Sequence, residues 1–301
     1  MTTQTTTPPT NHLPVARGGQ HELPDGRIIG YGLYGAADGP LVLVLDGPGS
    51  RGLGRVAADT ADVLGITLLV PDRPGWGSST PTPGRSIADV SADLLAVVRS
   101  LGQRRFGILA QSGGTPYALA VAAAAGDEAT ALSFVGAISP LGEKDALQDV
   151  RGPMRSLFKL ARRAPWLLKP LLTSVSRKTL KDPEAAARAY AKDMPEADAK
   201  LLDDPRMWAI HATTSAEAIA EPAAFAREAR LLAQPWGVDL GAITAPVAFW
   251  VGELDPTHPK VMSLRMAERL GGAPVTVVPG AATFSMVTVF GDVLRHAAAL
   301  S

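Results

Sequence analysis

The chain of 301 residues is 46% hydrophobic and 19% charged, enough apolar material for one full core plus an inserted lobe, which excludes peptide-like and disordered chains. Its 29 basic and 29 acidic side chains cancel, so it lacks the cationic excess with which proteins usually hold nucleic acid or anionic membranes. Cysteine is absent, which removes disulfides, thiolate catalysis and sulfur-ligated metal together and leaves either redox compartment open.

The opening MTTQTTTPPT has neither a basic n-region nor an apolar h-region, so it does not read as a secretory signal, and residues 1–20 are expected as a flexible tail. Arg27 to Tyr34 and Leu41 to Leu45 pattern as strands, the second a continuous branched run of the buried kind. Asp46-Gly47-Pro48-Gly49 then breaks the chain sharply. A further apolar run, Ile66 to Val70, is closed by Pro71-Asp72-Arg73-Pro74-Gly75, and Ile87 to Leu101 carries apolar residues at helical spacing. Arg105 to Leu109 is the next strand. An alanine-rich helix follows Ser112-Gly113-Gly114-Thr115-Pro116 to about Ala125, with the proline in its first turn where it is tolerated. Leu132 to Ile138 repeats the buried-strand pattern.

From Leu141 to about Val238 the rhythm changes to helical patterns, such as Pro183 to Asp193 and Ala216 to Leu232, with hardly a branched run that could be a strand. Strand and helix alternate again from Pro246 to Val251, through a helix from about Lys260 to Leu270 and a strand from Pro274 to Val278, to a last helix ending near Leu300. Such regular alternation predicts an α/β protein with a mostly parallel, doubly wound sheet. The core is expected over residues 21–140 and 239–301, with a helical lid inserted over 141–238. The longest apolar stretch, Tyr117 to Ala125, is far shorter than the ~20 residues of a membrane span, so a soluble, cytoplasmic protein without a membrane partner is expected.

The phrase RFGILAQSGGTPYAL sets Ser112 at a tight strand-to-helix turn, which demands small residues two positions away on each side; Ala110 and Gly114 meet that demand. With this elbow, the strand-loop Leu41 to Arg51, the loop Asp72 to Gly77, the helical insertion and Gly252-Glu253-Leu254-Asp255, the chain resembles the α/β-hydrolase superfamily from about Arg27 to Leu300. The resemblance implies that Ser112 is the nucleophile, that the amide of Gly113 is an oxyanion donor beside Gly114, and that Asp255 is the acid of the triad. Two departures stand out. Where the family carries its histidine, in a phrase like P-G-x-x-H, this chain has Pro279-Gly280-Ala281-Ala282-Thr283, and threonine is no base near neutral pH. Where relatives read H-G-G-P-G-S-R, it has Leu45 and Asp46 before Gly47-Pro48-Gly49-Ser50-Arg51, which sets a carboxylate in the loop that normally supplies the second oxyanion amide. Like charges a few ångströms apart in a dry pocket repel, so Asp46 is hard to reconcile with ester cleavage.

Three functions fit these residues. In the first, Asp46 and Ser112 carry out acid-base chemistry on a hydrophobic small molecule without an acyl-enzyme, as a cyclase, isomerase or lyase in biosynthesis. In the second, a serine esterase uses a relocated base, His258 or His211. In the third, the scaffold only binds its ligand. His12, His21 and His296 read as bystanders in the tail, the first strand and the final helix. Trp76 edges the pocket or covers its own loop. Trp166, Trp208, Trp236, Leu167, Leu168, Leu171 and Leu172 either wall the pocket or seat the lid. Asp72 and Arg73 read as a clamp on their Pro-Gly turn. Arg151, Arg155, Arg162 and Arg163 read as a solvated helix face. No metal-ligand set, dinucleotide fingerprint or phosphate loop is present, so no cofactor is expected, and the chain is expected as a monomer or homodimer. The alanine, arginine and proline usage is that of a high-GC, bacterial genome.

Overall fold

Leu41, Leu43 and Leu45 of one central strand pack into the core on one side of the sheet, while Val42 and Val44 pack into a second cluster on the other. Successive side chains point to opposite faces, so a run with no polar residue marks a strand covered on both sides. The computed structural model describes residues 13–299 apart from 15, 50, 144 and 145. It holds an eight-stranded sheet: β1 (Arg17–Glu22), β2 (Ile28–Gly35), β3 (Leu41–Leu45), β4 (Thr67–Pro71), β5 (Phe106–Ser112), β6 (Ala129–Ala137), β7 (Val247–Gly252) and β8 (Val275–Val278). Their spatial order is β1-β2-β4-β3-β5-β6-β7-β8. The pairs β1/β2 and β2/β4 are antiparallel and all others parallel. This is the α/β-hydrolase fold.

One face is covered by α2 (Ile87–Ser100), α3 (Thr115–Ala125) and α10 (Lys260–Arg269), the other by α1 (Gly52–Val63) and α11 (Phe290–Ala297). Between β6 and β7 the described residues form six α-helices: α4 (Gly152–Arg163), α5 (Leu168–Lys181), α6 (Pro183–Ala191), α7 (Glu196–Leu201), α8 (Pro205–Ala220) and α9 (Pro222–Leu232). Phe158, Leu168, Leu172, Ala229 and Leu232 join the main core from this insertion. Among the described residues no helix is long and apolar enough to cross a membrane.

Two sequence expectations are corrected and one element is added. Strand β1 begins at Arg17, inside the segment expected as tail; it is a half-exposed edge strand without an apolar face, so periodicity has nothing to register. Helix α1 was not expected, because its buried face is built of glycine and alanine with a single leucine. The helix expected from Ala216 to Leu232 is two helices, since Pro222 supplies no N–H and pushes Glu221 out of the helical region, to ψ 75°.

Candidate active site

Strand β5 ends on Ser112, whose φ of 50° makes it the one non-glycine residue with positive φ among the described residues. A serine held in that sparsely populated region is strained, and such strain persists where the surroundings fix it. Here the fixing is visible. A Cβ on Gly114 would collide with the carbonyl oxygen of Leu45, so only glycine lets the turn close against β3. Thr115 Oγ1 donates to the Ser112 carbonyl at 2.7 Å and accepts the Ile138 amide at 3.2 Å, tying the elbow to the end of β6. Ser112 does not cap α3: the cap position falls on Gly114 and no side chain bonds to that terminus. Among the described residues the Ser112 hydroxyl and the Gly113 amide have no hydrogen-bond partner.

The loop after β3 passes directly over the elbow: a Cβ on Gly47 would lie 3.8 Å from Ser112 Cβ and 3.9 Å from its Oγ. Its Asp46 is buried, at 8% exposure, and its carboxylate accepts the backbone amides of Gly47 at 2.6 Å and Leu53 at 2.8 Å. Leu53 is the second residue of α1, so the carboxylate meets the partial positive end of that helix. The amide expected to help hold an oxyanion is therefore given to the side chain of its own neighbour. The loop is held from behind by Arg73, whose guanidinium donates to the carbonyls of Asp46 (2.9 Å) and Gly47 (2.6 Å) and pairs with Glu228 of α9 at 2.6 Å. Both partners of that pair are buried, at 5% and 3% exposure.

Just past the end of β7, Asp255 meets three residues at once, Thr257, His258 and Thr283. Thr283 Oγ1 donates to Asp255 Oδ1 at 2.7 Å, so the threonine takes the contact with the acid that the family's histidine would make. His258 Nδ1 lies 3.1 Å from Asp255 Oδ2, and the amides of Thr257 and His258 reach Oδ1 at 2.8 and 2.9 Å. Burial alone would raise the Asp255 pKa, but the His258 charge and these hydrogen bonds outweigh it and bring it down to about 2. His258 is buried at 4% exposure, with its Nε2 unpartnered. Its ring packs on Gly136, where a Cβ would come within 2.9 Å of Nδ1. The next residue, Ala137, faces Ser112 across the sheet.

His211 sits on α8, also at 4% exposure, among Tyr190, Trp208 and Phe284, with ring centroids 5.5 to 5.8 Å apart. Burial lowers its pKa and a hydrogen bond to the Ala187 backbone partly opposes that. Its Nε2 and the Oγ1 of Thr214, one turn on, are both buried without a partner. Both residues line a cavity of about 80 Å³ together with Asp46, Gln111, Thr283 and apolar residues of α1, α8 and α11. Asp46, His211, Thr214 and Thr283 thus line one mostly apolar chamber that reaches Gln111, the residue before Ser112.

The remaining expectations sort simply. Trp76 is buried, with Gly49 of the loop after β3 against its ring nitrogen, and it lines a cavity on the Arg73 side. Asp72 and Arg73 do not pair with one another. Asp72 takes Arg51 in a bidentate bridge at 2.6 and 2.7 Å, so the clamp joins two loops. Trp166, Leu167 and Leu171 are exposed and cannot wall a pocket, whereas Leu168, Leu172 and Trp236 are seated in the core. The cavity wall comes instead from Leu202, Met207 and Ile210. His21 lies in β1, and His296 of α11 bonds Ser133 at 2.8 Å. His12 falls outside the described residues. Arg151, Arg155, Arg162 and Arg163 are exposed.

Sequence reasoning missed Asp198, Thr214 and Glu228. Asp198 of α7, at 1% exposure, accepts the amides of Thr283, Phe284 and Ser285 at 2.7 to 3.0 Å and holds the loop that carries the missing histidine's position. Glu228 left one signal, a carboxylate on the buried face of a helix beside Ala224, Ala229 and Leu232.

A family model described as the alpha/beta hydrolase family matches residues 40–288. No curated protein matches the chain. Among solved structures, an alpha/beta hydrolase fold protein from Nakamurella multipartita superposes with a TM-score of 0.64 at 22% identity, covering 93% of this chain and 99% of its own. An epoxide hydrolase from Acinetobacter nosocomialis gives 0.70 at 14% identity, covering 95% and 92%. The enol-lactonase from Burkholderia xenovorans gives 0.58 at 15%, covering 92% and 100%.

Proposed function

The chain belongs to the alpha/beta hydrolase family, and on that premise we propose that it is an enzyme that moves protons on a small hydrophobic molecule without forming an acyl-enzyme. Isomerase, cyclase or lyase chemistry without a cofactor fits this reading. The observation that carries it is the bond from the Gly47 amide to the Asp46 carboxylate at 2.6 Å. That bond spends the second oxyanion amide and sets an anion beside the elbow, while Thr283 occupies the acid in place of a base. Acyl transfer needs a base to take the serine proton and at least two donors for the tetrahedral oxygen; loss of one such donor alone costs about 100- to 1000-fold in rate. Proton transfer needs less.

His211, whose pKa burial lowers, lines the cavity, and its buried, unpartnered Nε2 would be the proton acceptor. A substrate with its carbonyl toward Ser112 and Gly113 would lose a proton from the adjacent carbon to Nε2. The enolate oxygen would accept hydrogen bonds from the Ser112 hydroxyl and Gly113 amide, and for a β,γ-unsaturated substrate, whose enolate is a dienolate, return of the proton to the γ carbon would complete an isomerisation. Asp46 lines the same cavity. A chamber of about 80 Å³ takes only part of a substrate, so entry requires the helical insertion to act as a lid.

Two assays test this. A fluorophosphonate probe should leave Ser112 unlabelled and p-nitrophenyl esters unhydrolysed. A panel of small ketones in deuterium oxide, followed by NMR, should show deuterium uptake that His211→Gln removes. Labelling of Ser112 together with ester turnover would overturn the proposal in favour of a serine esterase. That second reading draws on the Asp255–His258 pair with its buried Nε2, and it requires His258→Ala to abolish both labelling and turnover.

A further inference from the structure

On the far side of the Arg73–Glu228 pair from the catalytic chamber lies a larger cavity, about 290 Å³, between α9, the loop from Arg73 to Ser86, the start of α2 and Tyr117. Four guanidiniums line it, those of Arg73, Arg85, Arg227 and Arg230, against one carboxylate, Glu228. Glu228 is neutralised by Arg73, and Arg85 donates to Asp93 at 3.0 Å. Arg227 and Arg230, one turn apart on α9, have no ion-pair partner among the described residues. Three further donors in the lining are buried without an acceptor among the described residues: Trp76 Nε1, the hydroxyl of Thr82, a residue at 8% exposure, and Arg85 Nε. Buried donors in folded proteins find acceptors almost without exception. Arg227 differs from its neighbours in charge balance as well. Partial burial lowers its pKa and Glu221 opposes that only in part, whereas at the fully buried Arg73 the effect of burial is outweighed by Glu228.

We propose that this cavity binds a small oxyanion, the carboxylate or phosphate group of a metabolite, with Arg227 and Arg230 supplying charge and Thr82 and Arg85 Nε supplying directed hydrogen bonds. Guanidiniums present a planar fork of donors that suits either group. The site is distinct from the Asp46 chamber, and Arg73 stands between them, its guanidinium on the carbonyls of Asp46 and Gly47. Binding here does not depend on which chemistry Ser112 and His211 perform.

The test is thermal unfolding of the full chain against rising inorganic phosphate and, separately, malonate, each compared with sodium chloride at equal ionic strength. A saturable rise in Tm with either probe, absent with chloride, is expected, and the stronger probe tells phosphate from carboxylate. Arg227→Gln combined with Arg230→Gln should weaken the effect at least tenfold, and Thr82→Val should weaken it severalfold. Arg230 is exposed, so Arg230→Gln alone serves as a variant that folds if the double one does not, with a threefold or greater loss expected. No rise beyond chloride, or a rise unchanged in Arg230→Gln and the double variant, would overturn the proposal.

Discussion

Thr283 shows how one side chain redirects a site. Its hydroxyl satisfies Asp255 at 2.7 Å but offers nothing basic to Ser112, while Asp46 holds the Gly47 amide. On the proposed reading two separate requirements of acyl transfer are unmet, so restoring one is not expected to restore ester cleavage. Thr283→His alone should leave p-nitrophenyl acetate hydrolysis at background. Thr283→His with Asp46→Gly should raise it at least tenfold, with circular dichroism melts to check that α1 tolerates the loss of its carboxylate. Asp255 carries a pH dependence of its own. Its folded pKa, about 2, lies below the unfolded carboxyl value, so its contribution is complete above roughly pH 5 and lost as the pH falls through 2. A shift of that size corresponds to roughly 2 kcal/mol. Urea unfolding between pH 6 and pH 2 should show that loss in the wild type and a flatter profile in Asp255→Asn.

At the scale of elements, carboxylates of the insertion hold loops of the core. Asp198 of α7 gathers three consecutive amides and the Ser285 hydroxyl around residues 283–285. Asp198→Ala would strand those donors in a buried place, at a cost of about 2–4 kcal/mol read by urea denaturation. Glu228 of α9 does the same for Arg73. Glu228→Leu leaves a buried guanidinium unpaired and should cost about 3–5 kcal/mol, whereas Arg73→Met with Glu228→Leu should recover much of that loss, because a buried pair gains little over apolar packing. A double-mutant cycle that showed simple additivity would mean that the two side chains act independently. Neither partnership is readable from sequence. The residues of the Arg73–Glu228 pair are 155 positions apart, and Asp198 lies 87 before Ser285.

For the whole molecule, the insertion is seated on the core through α8. Arg55 of α1 meets Glu217 at 2.7 Å, Arg206 pairs with Asp59, and His211 is packed among rings. The His211 pKa lies below that of an unfolded histidine because burial disfavours the charged ring. Its contribution is therefore present above about pH 6.5 and lost as the pH falls through the lower folded value. Wild-type stability should drop between pH 7 and pH 5 more steeply than that of His211→Phe, measured by Tm at constant ionic strength.

The alternation of branched runs with helical spacing, the elbow at Ser112 and the helical stretch between β6 and β7 were all legible in sequence. These features are local: they rest on side-chain periodicity and on backbone sterics within a few residues. Edge strand β1 and helix α1 were not, since neither carries a clear apolar pattern. The sequence by itself also determined which chemical groups the site lacks, a histidine at position 283 and a glycine at 46. Only the tertiary structure decided what the substitutes do. Thr283 bonds the acid, Asp46 turns to α1 and its neighbour's amide, and His211 and Thr214 close over the same chamber. Hydrogen bonds and charge pairs depend on distances of a few ångströms between segments far apart in the chain, and no local pattern encodes those distances.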